Sequence, residues 1–337
     1  MTSPDTARPA PLRLREPGDL VAAVPVMLGF HPRDSLVLVA TGGPSGHTLG
    51  LTLRVDLPPP EHDGAVARAV VRSLIADRPV GAAVIVIGGR RGADPRARRL
   101  VDRVVQRLES RGVDIHTVIA ASSTAAGAAW HCYDPCGCRG EVPDPDATPM
   151  AAAAVAGGQV VFAERADLER LVLPADAERI RRRERLLVRS GGDLSAFCAP
   201  ETPAEGRSRG IAIVDAALEA TDAGRLNLDD AQVVALATAL SAPLVRDTAM
   251  LRCTGDRGPA AEHLWAALCR ETPDPEAADP AALLAVSALL RGDGALANVA
   301  LDRAERAWPG HRLTGLLRSV ADAGVRPSRF RAWLSSV

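Results

Sequence analysis

Residues 29–39 lie between a helix pattern and a run of alternating residues, and this region constrains the fold more than any other part of the chain. Gly29 is a natural stop for the helix pattern that Pro17 begins. Residues 35–40 are an apolar run of strand length, and a glycine-rich turn follows them. From 49 to 57, leucine and valine alternate with polar residues or glycine, which is the period of a half-buried strand. The sequence therefore predicts a helix followed by an antiparallel hairpin.

Helix and strand patterns alternate after the hairpin. They predict helices over 61–77 and 95–110, strands over 82–87 and 113–120, and a further short strand over 129–133. Such alternation implies right-handed crossovers and a largely parallel sheet. We therefore expect an α/β N-terminal domain with a mixed sheet, in which the antiparallel hairpin joins parallel βαβ units.

From about residue 147 onward the pattern is helical throughout. The polar segment 198–210 contains two prolines and is the best candidate for a domain linker. We therefore expect a disordered tail over 1–11, an α/β domain with trailing helices over 12–197, and an all-helical region over 211–337.

The helical region contains a repeat. Small and apolar residues occupy the offsets of a tetratricopeptide helical hairpin, at Leu284, Ala285, Gly292, Asp293, Ala297, Leu301, Ala304 and Pro309. The last four offsets recur upstream, at Ala261, Trp265, Leu268 and Pro273. One complete unit and one degraded unit leave two interpretations open: tetratricopeptide-like hairpins, or an ordinary helical bundle with alanine-rich contacts.

All 40 basic residues are arginine, and this composition excludes several chemistries. Without lysine the chain has no Schiff-base nucleophile, no lysine general base and no Walker A loop. The net charge of −1 gives no overall attraction to nucleic acid or to an anionic membrane, so neither is an expected partner. The arginine bias, with abundant alanine, glycine and proline, is typical of a GC-rich bacterial genome.

Cysteine content and the N-terminal residues indicate a compartment. Six cysteines among 337 residues do not resemble a disulfide scaffold. The first residues lack the apolar segment of a signal peptide, and the longest uncharged run is too short and too broken to span a bilayer. We therefore expect a protein of the reducing cytoplasm.

Four side chains of types that bind metals fall within one short segment, as His131, Cys132, Cys136 and Cys138. Three thiolates and an imidazole are a donor set that completes a tetrahedral zinc site. The spacing lacks a second C-x2-C knuckle, and adjacent strand residues point to opposite faces, which separates His131 from Cys132. Locally packed thiols at a strand end are therefore the favoured interpretation, zinc is the alternative, and no other cofactor is expected. Cys132 is also a candidate nucleophile if a distant histidine such as His31 pairs with it.

A glycine-rich loop follows the third predicted strand and precedes a helix. The backbone amides of Gly88 and Gly89 suit a phosphate-containing ligand at such a place. Arg90 and Arg91 provide guanidinium groups that clamp phosphate. The spacing is not G-x-G-x-x-G, and Asp94 opposes an anion, so a solvated loop is the favoured interpretation.

Four polar residues lie at the ends of the two hairpin strands, and they are His31, Asp34, Arg54 and Asp56. Their convergence at one edge of the sheet would provide a His–Asp pair for general acid–base chemistry. In the alternative, Asp34 stabilises a turn and Arg54 pairs with a nearby carboxylate. This structural interpretation is the favoured one.

Several short strings together resemble one actinobacterial family. They are Leu12-Arg-Leu with Asp19-Leu, Leu28-Gly-Phe-x-Pro-x-x-Ser-Leu-Val37, Arg54-x-Asp56, Trp130-x-Cys132 and Gly292-Asp-Gly-Ala-Leu-Ala297. The family is catalogued as "domain of unknown function 4192", and the resemblance covers nearly the whole chain. It implies a bacterial cytoplasmic protein and no catalytic assignment. It also implies adjacent cysteines after Trp-x-Cys, whereas here Gly137 separates Cys136 from Cys138.

Two functional hypotheses follow. The first is a non-catalytic cytoplasmic binding or adaptor protein, whose residues 211–337 bind a protein partner. The second is an enzyme, or a binder of a small phosphate-containing ligand, that uses the edge of the α/β sheet. No catalytic motif is assembled in the sequence, which favours the first hypothesis and leaves the question of an enzyme open.

Overall fold

The computed structural model describes residues 16–43, 46, 48–88, 95–133, 136–156, 159–174, 176–189 and 203–336. Its contacts divide the chain into two compact units, which we call the sheet unit (Met1–Glu164) and the helical unit (Arg165–Val337). The boundary between the units falls between residues 164 and 165, and the predicted linker spans residues 198–210. That linker is helical from residue 203 onward, whereas 198–202 and the predicted tail lie outside the described residues.

Among its described residues, the sheet unit contains six strands and four α-helices. The strands are β1 (Ser35–Gly42), β2 (Thr48–Asp56), β3 (Gly81–Ile87), β4 (Asp114–Ala121), β5 (Ala129–Cys132) and β6 (Arg139–Glu141). The helices are α1 (Pro17–Leu28), α2 (Asp63–Ala76), α3 (Pro95–Glu109) and α4 (Pro149–Ala156). The strands form one sheet in the spatial order β2-β1-β3-β4-β5-β6.

The predicted helix and hairpin at the start of the chain are confirmed. The carboxylate of Asp19 accepts a hydrogen bond from the backbone N–H of Glu16 at 3.1 Å, so α1 begins where proline and this cap specify. Gly29 ends α1 with a φ of 75°, a conformation that glycine adopts without strain. β1 and β2 then pair in antiparallel register, with Ser35 opposite Asp56.

The sheet is mixed, as predicted, but the expectation that it is largely parallel is wrong. Only β3 and β4 pair in parallel among the described strands. β3 lies beside β1 and antiparallel to it, so the crossover through α2 skips one strand position instead of placing β3 next to β2. β5 and β6 add two further antiparallel pairings. The order of elements along the chain does not fix the strand neighbours, and this is why the expectation failed.

Helices cover both faces of the sheet. On one face, α2 and α3 pack against alternate residues of β1, β3 and β4, including Leu36, Leu38 and Val84. On the other face, α1 contacts β2 and β4. Each fully buried leucine or valine contributes about 1.5–3 kcal/mol relative to an exposed one, so this double burial explains why β1 is apolar on both sides.

The helical unit contains no strand among its described residues. Its helices are α5 (Arg165–Arg170), α6 (Ala177–Arg189), α7 (Pro203–Asp222), α8 (Asp230–Leu240), α9 (Pro243–Arg252), α10 (Gly258–Glu271), α11 (Ala278–Arg291), α12 (Gly294–Ala307), α13 (Arg312–Asp322) and α14 (Pro327–Leu334). Within the sheet unit, Phe162 lies after α4 and forms an isolated parallel bridge with Phe30. The α/β start and the helix-rich remainder therefore agree with the sequence.

α11 is the central helix of the helical unit. Its residues from 278 to 288 are all buried, because other helices pack around it on every side. It ends at Gly292, which has a φ of 85°, and Asp293 then caps α12 by accepting a hydrogen bond from the Leu296 N–H at 2.9 Å. α11 and α12 thus form a helical hairpin with a two-residue connection.

No single helix in the part of the chain that the structure describes is long and apolar enough to cross a bilayer. Among the described helices, α8 and α9 have sufficient length and apolar composition when taken together, but they are bent by 104° at the break between them.

Candidate functional site

Three cysteines converge at the hairpin of β5 and β6. Cys132 ends β5, and its backbone N–H donates to the carbonyl oxygen of Cys138 at 2.9 Å, which places the two residues side by side. Gly137 has a φ of 65° and turns the chain between Cys136 and Cys138. As a result, the three Sγ atoms all lie within 4.8 Å of one another.

The thiols interact with one another and with the backbone. The backbone N–H of Cys138 donates to Sγ of Cys136 at 3.3 Å. Burial, followed by a hydrogen bond with Cys136, raises the pKa of Cys132 to about 11. A thiol with a raised pKa is a poor nucleophile at neutral pH, which argues against a nucleophilic role for Cys132. A bound cation would have the opposite effect on the thiol pKa, because a coordinating thiol loses its proton.

His131 does not join the thiol group. In the sheet register His131 lies opposite Ala120, whereas Cys132 lies opposite Ile119, so their side chains point to opposite faces. The His131 ring instead lies 5.8 Å from the ring of Tyr133, which packs against the core under α2 and α3. The sequence predicts this separation, because adjacent residues of a strand point to opposite faces of the sheet.

Arg54 and Asp56 meet at the edge of the sheet, in a small polar network. The Arg54 guanidinium pairs with the carboxylate of Asp56, and its Nε donates to Oγ of Ser35 at 2.8 Å. The same guanidinium lies 5.8 Å from the centre of the Phe30 ring. Asp56 is 79% exposed, and the arrangement is the structural pairing that the sequence favoured.

His31 has a different partner. Its Nδ1 lies 2.8 Å from Oγ1 of Thr124, in the segment after β4. Burial lowers the pKa of His31, and the nearby Asp146 opposes this shift. The imidazole is therefore partly removed from water and lies within hydrogen-bonding distance of a hydroxyl. Thr124 was missed from the sequence, where the only signal was a run of hydroxyl residues after a predicted strand.

Asp34 and Gly88 are packed against each other where β1 begins and β3 ends. Asp34 has a φ of 41°, and Gly88 has a φ of 93°. A Cβ at Gly88 would lie 2.5 Å from Oδ1 of Asp34, so only glycine fits here. The remaining residues of the predicted phosphate loop, Gly89, Arg90 and Arg91, lie outside the described residues.

The helical unit contains an open groove of about 580 Å3, which we call the helical groove. Its apolar wall includes Leu171, Leu226, Leu228 and Ala267. Its charged and polar lining includes Arg179, His263, Arg270 and Glu271. Nε of Arg179 lies 3.3 Å from the carboxylate of Glu271, and His263 and Arg270 are exposed.

No sequence pattern indicates the helical groove, because its walls come from separate segments of the chain. α10 supplies lining residues between 263 and 271, and the connection before α8 supplies residues 226–228. Leu171 directly follows α5, and Arg179 belongs to α6. The groove therefore combines an apolar wall with Arg179, His263, Arg270 and one carboxylate, that of Glu271. It has no nucleophile among its lining residues.

Comparisons with known proteins give one match. The model of a protein family described as a domain of unknown function, DUF4192, matches residues 17–328. No curated protein and no solved structure matches the chain.

Proposed function

The chain belongs to the DUF4192 family, whose description assigns no activity, and we propose that it is a binding or adaptor protein that holds a protein partner in the helical groove. The observation that carries this proposal is the groove itself. Its volume of about 580 Å3 falls in the range of ligand sites, about 300–1,000 Å3. Its apolar wall and three basic groups suit a partner segment that combines apolar side chains with a carboxylate.

The spacing of the helices supports a repeat architecture for the helical unit. α9, α11 and α13 begin at residues 243, 278 and 312, which are 35 and 34 residues apart. α10, α12 and α14 begin at 258, 294 and 327, which are 36 and 33 residues apart. A tetratricopeptide repeat has a period of about 34 residues, so three tetratricopeptide-like hairpins are part of the proposal.

The enclosure of α11 determines which surface we assign to the partner. An open array of helical hairpins presents an extended concave surface. Here the residues of α11 from 278 to 288 are buried, so this helix has no free face to offer. The helical groove lies instead along α10, whose residues Ala267 and Arg270 remain accessible.

Filling the groove tests the proposal. Ala267→Trp places an indole in the groove, whereas Ala332→Trp places the same side chain at an exposed position of α14. Affinity capture with full-length protein should recover a partner with the wild type and with Ala332→Trp, and lose it with Ala267→Trp. The assignment is contradicted if Ala267→Trp captures the partner as well as the wild type does. It is also contradicted if neither the wild type nor Ala332→Trp captures a partner.

We further propose that the thiols of Cys132, Cys136 and Cys138 hold a zinc ion. Their Sγ atoms lie within 4.8 Å of one another, as ligands of one ion must. The N–H of Cys138 already donates to Sγ of Cys136, and a metal-bound thiolate is a better acceptor for such a bond than a thiol. The fourth position falls to water or to an exogenous ligand, since His131 points to the other face of the sheet.

Metal analysis of the purified protein tests the zinc proposal. One zinc per chain is expected for the wild type and for Cys253→Ala, which removes a buried thiol of the helical unit. Cys136→Ser should lose that zinc. Sub-stoichiometric zinc in the wild type, after expression in zinc-supplemented medium, contradicts the zinc proposal.

An actinobacterial and cytoplasmic origin is also part of the proposal. Free thiols are typical of a reducing compartment, and the cysteines within the described residues are all free. Fractionation of the native host should place the protein with cytoplasmic markers, and recovery in an extracellular or envelope fraction contradicts this part.

A further inference from the structure

The outer helical layer of the sheet unit contains a second, smaller cavity. It has a volume of about 190 Å3 and is lined by residues of α2 and of α3 with the turn that follows it. One apolar and four basic residues line it, namely Ile75, Arg68, Arg72, Arg107 and Arg111. We call it the arginine pocket. It is separate from the thiol group, and none of its lining residues belongs to the helical groove.

The charges of the arginine pocket are not compensated within the described residues. No described carboxylate forms an ion pair with Arg68, Arg72, Arg107 or Arg111. By contrast, the charge of Arg98 on the same helix α3 is compensated, because its Nε donates to the carboxylate of Asp102 at 2.9 Å. Arg68 and Arg72 are four residues apart on α2, and such like-charged neighbours repel each other. The folded protein therefore places four arginine side chains around one cavity, with Arg107 half-buried and the other three exposed.

A fifth guanidinium adds to the positive field. Gly64 lies near the start of α2, and a Cβ there would lie 3.7 Å from Nη1 of Arg68 and 3.9 Å from Nη1 of Arg103. The heads of these two arginines therefore lie close to the same point. The end of α3 carries the partial negative charge of a helix C-terminus. Arg111 faces it by donating to the carbonyl of Arg107 at 3.4 Å.

We propose that the arginine pocket binds the phosphate group of inorganic phosphate or of a small phosphate ester. A guanidinium presents paired N–H donors whose geometry matches phosphate oxygens, and several of them around one cavity neutralise a dianion. The pocket is smaller than the usual site of a whole drug-sized ligand, about 300 Å3 or more, so it accommodates a phosphate head rather than a complete cofactor. Ile75 adds one half-buried apolar side chain to the lining.

The shape of the site favours a small phosphate over nucleic acid. A nucleic-acid surface needs basic residues along an extended track, so that several successive phosphates are contacted. Here the uncompensated guanidinium groups surround one cavity, and the chain as a whole has a net charge of −1. Binding of duplex DNA is therefore an alternative outcome of the test and not part of the proposal.

Isothermal titration calorimetry on the full-length protein tests this site. The probes are inorganic phosphate, pyrophosphate, a nucleoside diphosphate and a sugar phosphate, with chloride as the competing anion and a short DNA duplex as the macromolecular arm. Arg72→Gln and Arg107→Gln each remove one charge from the pocket. Arg185→Gln removes one charge from an exposed position of α6 and serves as the matched control.

Phosphate or one of its esters should bind with one site per chain. Arg72→Gln and Arg107→Gln should each weaken that binding about tenfold, as expected for a lost charge-assisted hydrogen bond, while Arg185→Gln leaves it unchanged. Unchanged thermal unfolding midpoints will show that both variants fold, and each variant stands in for the other if one does not. The proposal is overturned if none of the phosphate probes binds, if Arg185→Gln weakens binding equally, or if only the DNA duplex binds.

Discussion

Arg183 connects three segments of the helical unit, and its replacement is expected to cost more stability than that of any exposed arginine. The side chain is 1% exposed. Its guanidinium donates to Oδ1 of Asp230 at 2.9 Å, to the carbonyl of Leu228 at 2.7 Å and to the carbonyl of Glu271 at 2.8 Å, and it forms an ion pair with the Glu271 carboxylate. Two of these segments also line the helical groove.

The size of the loss follows from the groups that Arg183→Leu leaves behind. Removing one partner of a buried ion pair costs about 3–5 kcal/mol, because the other charge stays buried without compensation. Asp230 and Glu271 are 28% and 17% exposed, and they keep Arg182 and Arg179 as partners. The lower end of that range of about 3–5 kcal/mol therefore applies, and we expect the free energy of unfolding to fall by about 3 kcal/mol. A unit of this size loses about 2–4 °C of melting temperature for each kcal/mol, so the midpoint should fall by about 6–12 °C.

Urea unfolding followed by circular dichroism and by tryptophan fluorescence measures this loss, with Trp265 as a buried probe in the same unit. The control is Arg185→Leu, two residues away on α6 and exposed, which should change stability by no more than about 0.5 kcal/mol. A loss below about 1 kcal/mol for Arg183→Leu would be typical of a surface ion pair. That result would refute the view that this buried arginine holds the segments together.

Two further predictions concern pH and backbone conformation. Hydrogen bonds, first from Arg182, lower the pKa of Asp230 to about 2. Because the stabilising form is the charged one, its contribution is complete above about pH 4 and is lost as the pH falls towards about 2. The urea midpoints of the wild type and Asp230→Asn should therefore converge over that range, and a constant difference would contradict the assignment. Gly88→Ala should destabilise the sheet unit by about 1–3 kcal/mol, because φ is positive and the new Cβ meets Asp34. Gly294→Ala should not destabilise the protein, because a Cβ at this position meets no other atom. Thermal unfolding of the two variants measures this difference.

Much of the sheet unit was predictable because its residues report local structure. The alternation of residues 49–57 identified a half-buried strand, and Gly29 identified the end of α1. The predicted bounds of α2, β3, α3 and β4 agree with the structure within one or two residues. Strand placement was not predictable, because the periodicity of α2 is the same whichever side of β1 the next strand occupies.

The site was predictable only where its residues are close in sequence. Cys132, Cys136 and Cys138 share one hairpin, so their spacing was visible, and strand alternation separated His131 from them. The contact between His31 and Thr124 spans 93 residues and has no sequence signature. The helical groove and the arginine pocket likewise depend on which helices pack together, which single-helix patterns do not specify.

Site-specific photocrosslinking in the native host shows whether a partner occupies the helical groove. A benzophenone amino acid replaces Ala267 in the groove and, as the matched control, Ala332 on α14. We expect a discrete crosslinked adduct from position 267 and none from position 332. Adducts of equal yield from both positions, or no adduct from position 267 in a folded protein, would contradict it.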